Sequence, residues 1–343
     1  MPVRNGERWL REALDSVLSQ TVSDWELVAV NDGSTDGTAG ILNEFARRDA
    51  RIRPIRQEPL GLVAALNRGL AEARGPLIAR LDADDRALPE RLGRQVRYLE
   101  ANRAVGLLGT WAQEIDAAGN RRGQLRPPAA PEDLQRGLIK ANPFVHSSVM
   151  FRTDLVRRLG GFRPAFRAAE DYDLWLRISE TAPIANLPEA LVEYRLHDSN
   201  VTSRNAIRQA FSARLAQRAA HARRAIGRDP ADVLTGPPDW RSPAAEASFY
   251  AEDAALYRLL DLADRDIAAG AGHAADFSLL EARFDELTHA ERALAARAMV
   301  QHMIGAEPAL ARQTRGVLFR LLRRRPGMMS WSLLRRLPAA LLR

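Results

Sequence analysis

The sequence predicts an α/β fold, a sheet flanked by helices, followed by an α-helical C-terminal region. Three observations carry this. Short apolar runs alternate with segments of helical period over the first half of the chain, the pattern of a sheet with helices on its faces. Two of those runs, Trp25 to Val30 and Leu77 to Leu81, end in acidic turns, where ligands bind in such sheets. From Asn205 onward the pattern changes to Ala/Arg-rich helix, broken at Gly236-Pro237-Pro238, which divides the chain into residues 1–204 and 205–343.

In order, Pro2 to Gly6 reads as a turn. Glu7 to Gln20 carries Trp9, Leu10, Ala13, Leu14, Val17 and Leu18 at helical spacing. Trp25 to Val30 is a strand, Thr38 to Arg47 a helix, Arg51 to Arg56 a strand, and Gly61 to Ala73 a helix closed by Gly75-Pro76. Leu77 to Asp85 reads as a buried parallel strand. Leu92 to Ala101 is helical, and Val105 to Asp116 is a strand turning back at Ala118-Gly119-Asn120. Pro127 to Pro131 is a loop, Asn142 to Phe151 a strand, Asp154 to Leu159 a short helix, Glu170 to Ser179 a helix and Leu191 to Arg195 a last strand.

Composition narrows the chemistry. The 343 residues contain no cysteine, which excludes disulfides, thiolate zinc sites and a thiol nucleophile and fits a reducing cytosol. No run approaches the roughly 18 apolar residues of a membrane helix, and no signal peptide precedes Met1. Net charge is +7, yet residues 311–343 hold nine arginines and no acid, so the rest of the chain stands at −2. The basicity belongs to the tail, and a nucleic-acid-binding body is not supported.

Asp82, Asp84 and Asp85 bring three carboxylates together within four positions. On a strand Asp82 and Asp84 share a face. Such charges repel unless a cation sits between them, and Mg²⁺ is commonly held by one or two carboxylates plus substrate phosphates. The alternative is an acidic cap on the following helix, where Pro89 and Glu90 suit a first turn. Asp32, in Asn31-Asp32-Gly33-Ser34-Thr35-Asp36-Gly37, is placed to accept from an amide-like N–H such as that of uracil, or is an ordinary strand-to-helix turn. Glu170 and Asp171 open a helix whose dipole keeps a carboxylate ionised, as a general base or as plain N-terminal charge. His146 and His197 are the histidines outside the C-terminal region, and His197 lies in a loop-like place that suits a site residue.

The order MPVRNGERWLREALDSVLSQT, WELVAVNDGSTDGT, GLVAALNRGLAEARGPLIARLDADD, NPFVHSSVMFR, LGGFRPAFRAAEDYDLWLR and YRLHDSNVTS resembles the family 2 glycosyltransferases of GT-A fold. The resemblance runs from Met1 to about Ser203. It implies a mixed sheet flanked by helices, a nucleotide-sugar donor, a divalent metal (Mn²⁺ or Mg²⁺), a saccharide or lipid-linked acceptor, and inversion in one displacement. By the same resemblance Asp32 reads a uracil or thymine base, and Pro2, Asn5, Asn67 and Arg80 lie beside the donor. Asp82 faces the ribose, Asp84 and His197 hold the metal, Asp171 is the catalytic base, and Asp85, Glu170 and His146 support the site. It further implies bacterial surface-polysaccharide assembly in the cytoplasm, with the inner membrane face as a second place of residence.

Two departures stand out. The family opens with a hydrophobic strand running into the Pro-Val turn, which is missing ahead of Met1-Pro2-Val3, and Arg4 replaces the aromatic residue the family favours beside Asn5. The Gln-x-x-Arg-Trp motif and membrane helices of processive synthases are missing too, so single addition fits better. The rival readings are a sugar nucleotidyltransferase, whose Gly-rich, Arg-containing loop is not visible, and a non-catalytic GT-A-like scaffold that binds partners. In the tail, Val317, Leu318, Phe319, Leu321, Leu322, Met328, Met329, Trp331, Leu333, Leu334 and Leu337 interleave with arginines. That stretch suits either an anionic membrane face or packing onto the domain.

Overall fold

The structure, a computed structural model, describes residues 1–197, 206–261, 277–305 and 308–324. The chain divides into two compact units, Met1–Arg204 with Ala219–Pro237, and Asn205–Arg218 with Pro238–Arg343.

The first unit holds two sheets. One is a parallel three-stranded sheet of β1 (Pro2–Val3), β2 (Leu27–Asp32) and β3 (Ile52–Gln57). The other has six strands in the order β4 (Leu77–Ala79), β8 (Met150–Arg152), β6 (Leu107–Ile115), β9 (Ile184–Arg195) and β5 (Arg86–Ala87), with β7 (Arg121–Leu125) paired to β6. The helices between them are α1 (Leu10–Leu18), α2 (Thr38–Arg48), α3 (Leu62–Glu72), α4 (Arg91–Ala101), α5 (Pro131–Lys140), α6 (Thr153–Arg158) and α7 (Glu170–Ser179). Leu10, Leu14 and Val17 of α1 and Ile41, Leu42 and Phe45 of α2 pack with Leu27, Ala29 and Ile52 into one core, because their spacing puts them on one helix face.

Several expectations are corrected. Pro2 and Val3 are not a turn: they pair in parallel with Val30 and Asn31, and the Met1 amine donates to the Val28 carbonyl at 2.9 Å. The strand expected over Leu77 to Asp85 stops at Ala79, and it pairs antiparallel with β8. Asp82, Asp84 and Asp85 therefore sit in a turn and do not alternate along a strand. Asn142 to Val149 is a loop with a 3₁₀ turn at His146–Ser148, and only Met150–Arg152 is strand. Pro131–Lys140 is a helix, with Pro131 at its start and Glu132 and Asp133 in its first turn. β9 begins at Ile184, seven residues before the expected Leu191, and pairs in parallel with β6.

With β1 only two residues long, the three-stranded sheet shares no ladder with β4. A cavity of about 570 Å³ lies there, lined by Met1, Val28, Leu66, Leu77, Ala79 and Met150 among others.

The second unit is helical, with α8 (Ala206–Ile226, its residues to Arg218), α9 (Ala251–Leu260), α10 (Ser278–Ala282), α11 (His289–Gly305) and α12 (Pro308–Arg324). Phe211 anchors its core against Trp240 at 5.0 Å and Tyr257 at 5.2 Å between ring centroids. α12 buries Ala311, Val317, Leu318 and Leu321 and exposes Phe319. The tail residues from Met328 onward lie outside the described residues. Among the described residues no helix is long and apolar enough to cross a membrane.

Candidate active site

The Asp82–Asp85 turn follows β4 and is pinned by residues from far along the chain. Arg80 is buried and forms an ion pair with Asp82. The Ser147 hydroxyl donates to Asp82 Oδ2 at 2.9 Å and accepts the Asp82 N–H at 3.0 Å. Burial alone would raise the Asp82 pKa, but Arg80, His146 and the Ser147 hydroxyl bring it down to about 2. Asp85 is 1% exposed and accepts the Arg195 backbone N–H at 2.7 Å. Burial and the charges of Asp82 and Asp84 push it well above the usual carboxylate range. The Arg195 guanidinium donates to the Asp84 carbonyl at 2.8 Å and to Glu12 at 2.6 Å, so the turn is held on its inner side.

Asp84 faces outward, its side chain 35% exposed, with Oδ2 at 2.9 Å from His197 Nε2. Burial and the Asp82 charge raise its pKa, and the His197 contact opposes them. His197 is held by Trp9, the rings 4.2 Å apart and tilted 31°. Trp9 is itself fixed by its indole N–H donating to the Ala117 carbonyl at 3.1 Å. Among the described residues no group of three or more His, Cys, Asp or Glu could hold a metal ion. Asp84 and His197 supply two ligands of the hard oxygen and imidazole kind, which fits a cation whose remaining positions belong to water and substrate phosphate.

Asp171 sits at the start of α7. Its Oδ2 accepts from the Asn142 amide at 2.8 Å and its Oδ1 from the Tyr172 N–H at 2.7 Å. Glu170 beside it is 4% exposed, and burial together with the Asp171 charge raises it to about 7. Ala168 just ahead has φ +71°, a strained value for a residue with a side chain, and marks the tight entry to α7. His146 links this corner to the first. Burial and the Arg80 charge lower its pKa, while Asp171 and Asp82 pull the other way. Among the described residues Asp85 Oδ2, Glu170 Oε2, His146 Nε2 and two Arg80 nitrogens are buried without a hydrogen-bond partner. Such a density of orphaned polar atoms belongs to a functional site more readily than to a core.

Asp32, at the end of β2, is placed differently. It is 3% exposed and accepts from Gln57 Nε2 at 2.7 Å, Leu60 N at 2.8 Å and Gly61 N at 2.9 Å. Gly33 turns beside it at φ +66°, where a Cβ would lie 2.8 Å from Pro59. Asn5 knits the neighbouring turn, its Oδ1 accepting the Thr35 N–H and its own N–H donating to Ser34 Oγ, both at 2.9 Å. Pro2 is in the β1 ladder. Asn67 is bound at both ends to Phe162, donating to its carbonyl at 2.7 Å and accepting its N–H at 2.9 Å.

The structure thus gathers Arg80, Asp82, Asp84, Asp85 and His197 at one corner and Glu170 and Asp171 at a second, with His146 feeling the charges of both. Asp32, Asn5 and Asn67 are each engaged by a segment distant in sequence: Asp32 by Gln57, Leu60 and Gly61, Asn5 by Ser34 and Thr35, and Asn67 of α3 by Phe162. Sequence reasoning missed Ser147, Arg195 and Asn142 as site-builders and took Trp9 only as an apolar helix position. Ser147 and Asn142 lay inside a segment read as strand, and a signal for them was the polar run around His146.

A family model described as glycosyl transferase family 2 matches residues 1–160. The putative glycosyltransferase EpsE of Bacillus subtilis is 38% identical over 209 residues, a match covering 60% of this chain and 74% of that protein. The chain belongs to the family 2 glycosyltransferases. The amylovoran biosynthesis glycosyltransferase AmsE of Erwinia amylovora is 36% identical over 57% of this family 2 chain and 73% of its own length. The O-antigen biosynthesis glycosyltransferase WbnJ of Escherichia coli is 33% identical over 58% and 79%. Among solved structures, Staphylococcus aureus TarS 1–349 in complex with UDP-GlcNAc superposes with TM-score 0.54 at 16% identity, covering 94% of this chain and 88% of that one. The Pyrobaculum calidifontis mannosyltransferase PcManGT in complex with GDP-Man and Mn²⁺ gives 0.50 at 20% identity, over 96% and 86%. At these identities the likeness shows the fold, which is GT-A.

Proposed function

We propose that this glycosyltransferase is metal-dependent and inverting, moving a sugar from a UDP- or dTDP-sugar to a hydroxyl of a saccharide or glycolipid acceptor. The observation that carries it is the pairing of two corners: an outward carboxylate–imidazole pair, Asp84 and His197, and a helix-start carboxylate, Asp171, with His146 feeling the charges of both Asp82 and Asp171.

Asp84 and His197 are the residues that would hold the cation. A bound divalent ion supplies Lewis-acid stabilisation of the charge on the leaving diphosphate. Asp82, kept ionised by Arg80 and Ser147, offers an acceptor to ribose hydroxyls. Asp171 accepts the proton of the acceptor hydroxyl as that oxygen bonds to the anomeric carbon; the bond from that carbon to the diphosphate oxygen breaks, and the electron pair leaves with the nucleotide. Attack opposite the leaving group inverts the anomeric centre. Glu170 and His146 line the corner behind the base, and Asp85 with Arg195 braces the metal-side turn. Gln57 and Leu60 hold Asp32 Oδ1, while among the described residues Oδ2 accepts from the Gly61 N–H alone, so Oδ2 is the oxygen that would accept from a base N–H. Pro2 and Asn5 shape the turn beside it, and Asn67 supports the donor side through Phe162.

The names of AmsE and WbnJ support a place in bacterial surface-polysaccharide assembly, in the cytoplasm. The arginine-rich tail suits an anionic membrane face through its charge. The test is Asp171→Asn, assayed as nucleotide release from a panel of UDP-, dTDP- and GDP-sugars. Turnover is expected to fall by roughly 10²–10⁴-fold, the usual worth of a general base, with nucleotide affinity kept. Unchanged turnover would remove Asp171 from the mechanism.

A further inference from the structure

Asn142 lies in the loop after α5, and both ends of its amide are engaged. Its Oδ1 accepts the Phe144 N–H at 3.1 Å, so the amide nitrogen must be the end that faces Asp171, where it donates to Oδ2 at 2.8 Å. The elements that carry donor and acceptor are tied together. Phe144 is buried with its ring 6.3 Å from Trp175 of α7, and the Tyr172 hydroxyl of α7 donates to the Leu138 carbonyl of α5 at 2.7 Å. With the Tyr172 N–H on Oδ1, the Asp171 carboxylate is gripped at both oxygens and has one orientation.

We infer that Asn142 is a positioning residue for Asp171, its amide fixing which carboxylate lone pairs remain for the proton of the acceptor. This rests on the reading of Asp171 as base. A carboxylate that turns about its last bond spends part of its time misaligned, and misalignment costs rate without costing donor affinity.

The experiment compares Asn142→Ala, Asn142→Asp and Asp171→Asn in the full chain. Turnover is followed as nucleotide released from whichever UDP-, dTDP- or GDP-sugar the wild-type chain consumes, and nucleotide binding by calorimetry. Asn142→Ala is expected to lower kcat about tenfold with KM and nucleotide affinity within about twofold, the size of one lost hydrogen bond to a charged group. Asn142→Asp keeps the oxygen that holds Phe144 but sets a like charge against Asp171, so it is expected to be slower still. A purely structural role predicts the reverse order, because the isosteric variant preserves the turn. In the Asp171→Asn background, Asn142→Ala is expected to add little, as for residues acting as one unit. If Asp171→Asn is inactive while Asn142→Asp equals wild type or outperforms Asn142→Ala, the positioning role is overturned and the base stands. If Asp171→Asn turns over at the wild-type rate, the base reading itself falls.

Discussion

Asp32 ends β2 and was expected to read the donor's base, Asp84 lies in the turn after β4 and was expected to hold the metal, and the protein treats the two carboxylates in opposite ways. Asp32 is buried, with Oδ1 accepting from Gln57 and Leu60 and Oδ2 from Gly61. Asp84 stays partly exposed, with one oxygen on His197 and the negative charge of Asp82 close behind it. A carboxylate already hydrogen-bonded by a neighbouring segment has less of its acceptor capacity left for a ligand. A crowded, outward carboxylate gains from any cation that approaches. The contrast separates a residue that orders the site from one that is left ready to bind.

Substitution at the two positions should therefore read out in different measurements. Asp84→Asn is expected to weaken Mn²⁺-dependent nucleotide binding by roughly 10–100-fold, as loss of a ligand or its close partner does elsewhere, with melting temperature nearly unchanged. Asp32→Asn is expected to act first on stability. With its oxygen at the Oδ1 position it still accepts from Gln57 and Leu60 but turns an amide nitrogen toward the Gly61 N–H, setting two buried donors against each other at a cost of about 2 kcal/mol. Thermal unfolding of both variants, beside calorimetry, checks the pair. If Asp84→Asn lost the fold and Asp32→Asn left it untouched, the contrast would be reversed.

A smaller effect sharpens the same contrast on the base side. Glu170 is raised from 4.5 to about 7 because it is buried beside Asp171, so the folded chain holds its proton more tightly than the unfolded one does. Its contribution to stability is present below the unfolded value and lost as pH rises through about 7. Glu170→Gln removes that dependence. Between pH 5 and 8 the stability of the wild type relative to this variant is expected to fall by about 1–3 kcal/mol, measured by denaturant unfolding at each pH. A parallel pH dependence in the two proteins would mean that Glu170 is ionised throughout.

What was legible in the sequence follows from range. α1, α2 and α3 lie within three residues of the expected ends, since apolar spacing and glycine stops are local signals. The acids of the site were also visible, as clusters at the ends of strand-like runs. Helix α5 carried its signals, a proline start, early acids, and Leu134 and Leu138 one turn apart, but only its first residue was assigned, as the end of the Pro127 to Pro131 loop, and the rest was given no element. The partners were not legible. Ser147 reaches Asp82 across 65 residues, Arg195 reaches Asp85 across 110, and His197 reaches Asp84 across 113. No periodicity encodes such pairs. Nor could the sequence show that Asp32 would accept from Leu60 and Gly61, because that depends on how the segment after β3 lies against the end of β2.

The most direct test is calorimetric titration of the full chain with UDP, dTDP and GDP, first with Mn²⁺ and then with EDTA. The account predicts saturable binding of one nucleotide in Mn²⁺ that EDTA abolishes. Binding of equal strength in EDTA, or none by a chain that circular dichroism shows to be folded, would contradict a metal-assisted donor site at Asp84 and His197.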